Sequence, residues 1–419
     1  MPEFRRRHSY GRGGKIVFLC TVLITGCARG ENGGVPLTTD AMRGPALGAA
    51  SRTEASAGGK ISRNVVGNCD VIYSFGSSPD GADPLAGLTG AGKTLYGTTS
   101  GGGANNLGTV FSSTTSGSEH VLYDFKGRPD GSSPLAGLTN LKGTFYGTTS
   151  GGGSYGGGGT IFAITKAGKE HVVYSFTGGT DGSQPNAGLI DVDGTLYGTT
   201  IGGGVDGTGT VFSITTSGTE NVLHSFADSP DGAAPRAGLV YSDGAFYGTT
   251  SNGGTAGHGT VFKVTPGGTE TVLYSFAGEP DGAQPLGGLI VYKKALYGTT
   301  FVGGANNDGT VFKIALSGSG GTETVLHSFG TGDAGLPEAG LINLKGTFYG
   351  TGTDNLNPEG TGGVFSITPA GAEQELCSFP GADLDAVPQA PVTYFKGALY
   401  GTTSGGGSAE QGTVFTFPI

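Results

Sequence analysis

The chain has 419 residues, of which 87 are Gly and none is Trp, with 23 Lys and Arg against 33 Asp and Glu and a formal net charge of −10. An acidic balance, in a chain where charged residues are only 13% of the total, argues against nucleic acid as a partner and against docking on an anionic lipid surface. Glycine at this frequency also argues against a helical protein.

From the N-terminus, residues 1–27 read as a targeting segment rather than as folded structure. Arg5, Arg6, Arg7 and Lys15 are basic and residues 16–24 form a short apolar core, well below the roughly 20 residues of a membrane-spanning helix. Leu23-Ile24-Thr25-Gly26-Cys27 follows and resembles a bacterial lipobox, in which small residues precede a cysteine that is lipidated before cleavage. The resemblance implies lipid attachment at Cys27. The alternative is an ordinary secretory signal with a chance cysteine. Ala28 rather than Asp comes next, which by the same analogy allows the outer membrane. Residues 28–66 are rich in Gly, Ala, Ser and Thr without periodicity and read as a flexible tether.

Residues 67–419 repeat one unit about every 50 residues. Its YGT tyrosine recurs as Tyr96, Tyr146, Tyr197, Tyr247, Tyr297, Tyr349 and Tyr400. The Phe closing VLYSF-like runs recurs as Phe75, Phe125, Phe176, Phe226, Phe276, Phe329 and Phe379, and that of GTVF-like runs as Phe111, Phe162, Phe212, Phe262, Phe312, Phe365 and Phe415. Within residues 238–276 the β-branched and aromatic runs 238–241, 245–250, 260–265 and 271–276 predict four strands, A to D, separated by turn residues such as Asp243-Gly244. Strand D carries bulk on both faces, with Val272, Tyr274 and Phe276 expected on one and Leu273 on the other. A sheet apolar on both faces needs a neighbour on each side, and seven in a ring make a β-propeller of four-stranded antiparallel blades. The spacing resembles the kelch pattern. An open solenoid or separate small sheets are the alternatives.

The first complete run, 71–75, is a D strand and the last, 413–417, a C strand. The N-terminal strand therefore completes the seventh blade and removes the open edge. Cys69 and Cys377 lie on the D strands of adjacent blades seven and six. An exported compartment permits a disulfide, but outer strands diverge and a gap above about 7 Å cannot be bridged, so strand geometry argues against the bond.

Several motifs bear on chemistry. Residues 87–94 match the P-loop pattern, yet a strand follows where a phosphate-binding helix is required, and aligned copies are plain A–B hairpins. The Gly-rich loops 101–108 and 202–209 occur once per unit, not as the consecutive repeats of a Ca²⁺-binding β-helix. Asp80, Asp130, Asp181, Asp231 and Asp281 each precede Gly in the D–A connection and read as turn aspartates. One carboxylate per loop falls short of a Ca²⁺ site. His120, His171, His224 and His327 lie on outer strands of different units, and only His258 is in a loop of the ligand-prone face. No catalytic set, metal site or cofactor is expected, although a set assembled from separate blades stays open.

The informative positions precede the AGL run that opens strand A: Leu85, Leu135, Asn186, Arg236, Leu286, Glu338 and Gln389. Asn186, Arg236, Glu338 and Gln389 depart from Leu and should gather at the channel mouth, and with His258 they are the ligand-binding candidates. The alternative is a solvated position that drifts freely. A monomeric, non-enzymatic binding module for a glycan or a surface protein is the leading expectation, with the membrane reached only through the N-terminal lipid. An enzyme acting on polysaccharide or peptide at the mouth, by fold analogy alone, and a structural spacer are the rivals.

The run LYGTT at 296–300 with Gly303-Gly304, GTVF at 309–312, VLYSF at 272–276 and PDG at 280–282 resembles the GloVer (Gloeobacter–Verrucomicrobia) tandem repeat, over about 85% of the chain. Proteins with such repeats are called choice-of-anchor proteins, and the resemblance implies export and a propeller-like repeat region without any established activity. The sixth unit departs from it with Gly350-Thr351-Gly352, and the seventh with Ala390-Pro391-Val392 in place of AGL.

Overall fold

The computed structural model describes residues 67–316, 321–330, 332–353, 362–379 and 386–419. Cys27 and the tether expected over 28–66 lie outside the described residues. Seven sheets follow one another around a ring, each with strand order A-B-C-D and each pairing antiparallel. Blades 1 to 7 begin with the A strands Thr89–Ala91, Thr139–Leu141, Ile190–Val192, Val240–Ser242, Ile290–Tyr292, Ile342–Leu344 and Thr393–Phe395.

Blade 4 shows how the residues produce the sheet. Its strands B, C and D are Ala245–Thr250, Thr260–Val264 and Glu270–Ser275. The A–B hairpin turns on Asp243 and Gly244, with φ of 48° and 76°, the left-handed pair that a two-residue hairpin requires. Gly248 of the YGT run is there for space. A Cβ on it would come within 2.5 Å of the Phe262 ring, so its absence lets the C-strand Phe lie across strand B. Strand A begins at Val240 rather than at Gly238, because the AGL segments of neighbouring blades pack backbone to backbone. A Cβ on Gly238 would stand 3.0 Å from the Gly188 carbonyl oxygen.

The expected alternation in strand D is corrected by a β-bulge. Val261 opposes Tyr274 and Phe262 opposes Val272, leaving Leu273 as the extra residue. Leu273, Tyr274 and Phe276 then all pack into the cluster shared with blade 5, which includes Leu289, Leu296 and Phe312. The bulge recurs in strand D of every blade.

Two contacts recur at all seven junctions. The Phe ending strand D meets the C-strand Phe of the next blade edge to face, as in Phe226–Phe262 at 5.0 Å and Phe176–Phe212 at 5.3 Å, a geometry worth about 0.5–1.5 kcal/mol beyond burial. All fourteen of these Phe rings are buried. A strand-B threonine also donates its hydroxyl to a carbonyl of the next AGL segment, from Thr98 to Ala136 around to Thr402 to Ala86, which closes the circle.

The N-terminal strand Asp70–Ser74 pairs antiparallel with Thr413–Pro418 and completes blade 7. Just before it, Gly67–Asn68 pairs parallel with Cys377 and Ser378 of blade 6. The chain thus crosses from one outer edge to the next at residue 69. Cys69 and Cys377 form a disulfide with a Cα–Cα distance of 5.2 Å. The expectation against this bond fails because divergence of the two D strands does not matter where one chain visits both.

Candidate functional site

The channel end reached by the D–A loops holds a cavity of about 500 Å³, walled by the AGL segments of all seven blades. Asn186, Arg236, Glu338 and Gln389 all line it, beside Leu85, Leu135 and Leu286. Gln389 donates from Nε2 to Glu338 Oε2 at 2.8 Å. Burial pushes the Glu338 carboxyl above its ordinary range, while the Gln389 amide and the Arg236 charge pull it back. Asn186 is mostly buried, and its Oδ1 accepts no hydrogen bond from the described residues. Arg236 is exposed. An acceptor without a donor among the described residues, a carboxylate held by Gln389 and an exposed guanidinium therefore face one space between leucines. Among the described residues, Glu338 is the one carboxylate on this wall.

His258 does not join them. Its ring lies against Gly278, and its carbonyl accepts the Gln284 N–H at 2.9 Å. Leu107 and Thr208 make the same backbone bond, to Ser133 and Ala234, so the contact belongs to the repeat. The B–C loop is on the right face of the ring but hangs from the middle of the blade, away from the axis.

The P-loop match at 87–94 is the first A–B hairpin, with Gly92 at φ 69°. The turn reading of the aspartates holds. Asp281 Oδ2 accepts the Ala277 N–H at 2.9 Å and Oδ1 that of Gly282 at 2.7 Å. What residue-by-residue inspection misses is that each such Asp is joined by a second carboxyl from the following blade. The Tyr73 hydroxyl donates to Asp80 at 2.8 Å and lies 3.4 Å from Glu119 of blade 1. Around the ring the Asp–Glu pairs are Asp80–Glu119, Asp130–Glu170, Asp181–Glu220, Asp231–Glu270, Asp281–Glu323 and Asp333–Glu373. Each Glu lies six positions before its terminal Phe, and the residue meeting it, two before the terminal Phe of the previous blade, is Tyr73, Tyr123, Tyr174, His224, Tyr274 or His327. Desolvation first and the neighbouring Asp second push these glutamates up to about 7. At the remaining junction the same two positions are Cys377 and Cys69.

Where His replaces Tyr, His224 Nε2 lies 3.0 Å from Asp231 Oδ2 and His327 Nε2 lies 3.1 Å from Asp333 Oδ2. Burial tends to raise Asp231, but the His224 bond and the Gly232 and Ala227 N–H donors outweigh it and lower its pKa.

Comparison with known proteins places the fold and the repeat. No curated protein matches the chain. Among solved structures it is similar to PorZ, a bacterial surface component of the type-IX secretion system of Porphyromonas gingivalis, at 14% identity and TM-score 0.51, covering 82% of this chain and 47% of that one. It is similar to the quinohemoprotein alcohol dehydrogenase of Comamonas testosteroni at 13% identity and TM-score 0.51, covering 86% and 78%. At such identities the likeness is one of fold. The Gloeobacter/Verrucomicrobia repeat matches residues 29–212 and 184–415, and by that match, repeated in seven blades, the chain belongs to the Gloeobacter/Verrucomicrobia repeat family.

Proposed function

We propose that the protein is a non-enzymatic binding module that takes a hydroxyl-rich ligand, a glycan, in the channel mouth, and that it is held at the bacterial surface by a lipid on Cys27. The observation that carries the reading is the unpartnered Asn186 Oδ1 in a cavity that also presents Arg236 and the Gln389–Glu338 pair. A buried acceptor left unpaired is costly, and a ligand hydroxyl supplies the missing donor. Apolar walls with a few convergent polar groups, in a volume of this order, suit a small ligand. Leu85, Leu135 and Leu286 offer the faces against which sugar C–H groups pack. A guanidinium is no general base, and a glycosidase requires two carboxyls, where the described wall carries one.

A glycan-binding screen on the wild type, Arg236→Ala and Glu338→Ala tests this, with thermal melts alongside. Both variants are expected to weaken binding about tenfold or more while melting near the wild type, because neither side chain belongs to the packed core. Unchanged binding of every wild-type hit would remove the mouth as the site. The anchor is tested by fractionation. Cys27→Ser should move the protein from membrane to soluble fraction, and identical fractionation would refute lipid attachment.

A further inference from the structure

We infer that the clusters His224–Asp231–Glu270 and His327–Asp333–Glu373 are two equivalent sites for a divalent transition metal, best matched by Zn²⁺, each joining adjacent blades. In each cluster one imidazole nitrogen and two carboxylate oxygens lie within 4.8 Å of one another. The His–Asp separations of 3.0 and 3.1 Å are close to the roughly 3.3 Å edge of a tetrahedron with ligands 2.0–2.1 Å from zinc. Three protein ligands of N and O type leave the fourth position to water, as zinc accepts. Imidazole favours such a metal over Mg²⁺ or Ca²⁺, which prefer oxygen alone.

The repeat supplies its own control. All six junctions share the Asp and the Glu, and in each the Glu Oε1 is buried without a hydrogen-bond partner among the described residues. At four of them a Tyr hydroxyl bridges or faces the pair, and a neutral phenol is a poor ligand. Burial pushes these phenols well above their ordinary range. Only blades 3 and 5 contribute His, which coordinates in its neutral form. The third non-tyrosine residue at this position, Cys377, already makes a covalent bond to the same partner position, Cys69. Every departure from Tyr is thus a residue able to link two blades. Two carboxylates and a neutral imidazole carry two negative charges, matching a dication.

The test is calorimetric titration of chelator-stripped full-length protein with Zn²⁺, for the wild type and for His224→Tyr/His327→Tyr. Tyr occupies the aligned position in four blades, so the substitution suits the local packing. The double variant should take up two fewer equivalents, and each single variant one fewer. Glu270→Gln/Glu373→Gln, which keeps side-chain size, should weaken the same two sites by about 100-fold or more, since loss of a ligand costs at least what loss of its support does. No Zn²⁺ uptake by the wild type, unchanged stoichiometry in the histidine variant, or unchanged affinity in the glutamine variant would each overturn the assignment.

Discussion

The junction between blades 6 and 7 and the other six junctions share one core contact and differ at the rim. All seven stack a D-strand Phe on a C-strand Phe, and at the closing junction this is Phe379 on Phe415 at 5.0 Å. At six junctions the rim contact is polar, with a Glu facing Tyr or His of the blade before. At the closing one it is the Cys69–Cys377 bond. At every junction, that between blades 6 and 7 included, the chain runs on from strand D of one blade to strand A of the next. In the seventh blade, strand D comes from the other end of the sequence. The difference teaches that the covalent link sits beside the one strand that can detach as a terminal segment.

The most severe way to break this comparison is to delete residues 67–76. The deletion removes the disulfide, the outer strand of blade 7 and Phe75, which is fully buried and stacks on Phe111 at 5.1 Å. Strand Thr413–Pro418 would become an open edge of the kind that pairs with other chains. Size-exclusion chromatography should show aggregate in place of a monomer, and a stable monomer would show that the ring does not need this strand.

Cys69→Ser/Cys377→Ser is milder. It leaves the strand in place but frees a loop closed across 308 residues, with an expected loss of about 3–5 kcal/mol in unfolding free energy. Cys69→Glu/Cys377→Tyr sharpens the comparison by giving the seventh junction the pair found at four others. It should recover a minor part of the loss, about 1 kcal/mol or less, since a partly exposed hydrogen bond contributes little. Denaturant melts under oxidising conditions measure both. Recovery of full wild-type stability would mean that the disulfide adds nothing beyond a filled rim.

Ring, blade number and closure were readable from residue types because each is written into the period. The mouth residues were readable for the same reason. Four polar side chains replace Leu at one position of the unit, and that position faces the axis in every blade. His258 sits in the B–C loop, as expected, yet apart from the mouth residues, because face and radius are different coordinates. Its loop identifies the end of the ring, but the distance from the axis depends on which strands the loop joins. The rim pairs stayed hidden because an alternating strand puts Glu270, Val272 and Tyr274 on one face. The bulge at Leu273 reverses that parity, so Tyr123 of blade 1 meets Glu170 and Val172 of blade 2 in one crevice. Strand geometry argued against the disulfide because two residues, Gly67 and Asn68, are too short a strand to announce that the chain visits blade 6 first.

The smallest expected effect is a slope with pH, and most of it comes from the six polar junctions. Their glutamates are pushed up to about 7 by burial and then by the Asp of the preceding blade, against 4.5 for the unperturbed side chain. The folded state therefore holds these protons more tightly than the unfolded chain does. The stability they add is complete below pH 4.5 and is lost as pH rises through 7. Asp231 has the opposite sign. Its lowered pKa adds stability at neutral pH that is lost in acid, but it is one group against six. Each Glu is partly open to water, so solvent screening reduces every contribution. The net expectation is a melting temperature that falls steadily from pH 5 to pH 8, measured in chelator so that no metal competes with the proton. Glu119→Gln/Glu170→Gln, at two junctions bridged by Tyr, should flatten the slope by removing two of the six titrating groups. The cysteine variants should shift the whole curve down without changing its slope, because no Glu titrates at the closing junction. A melting temperature that rises between pH 5 and pH 8 would show that these carboxyls are hydrated or paired in the folded ring, and that burial at the rim does not govern their protonation.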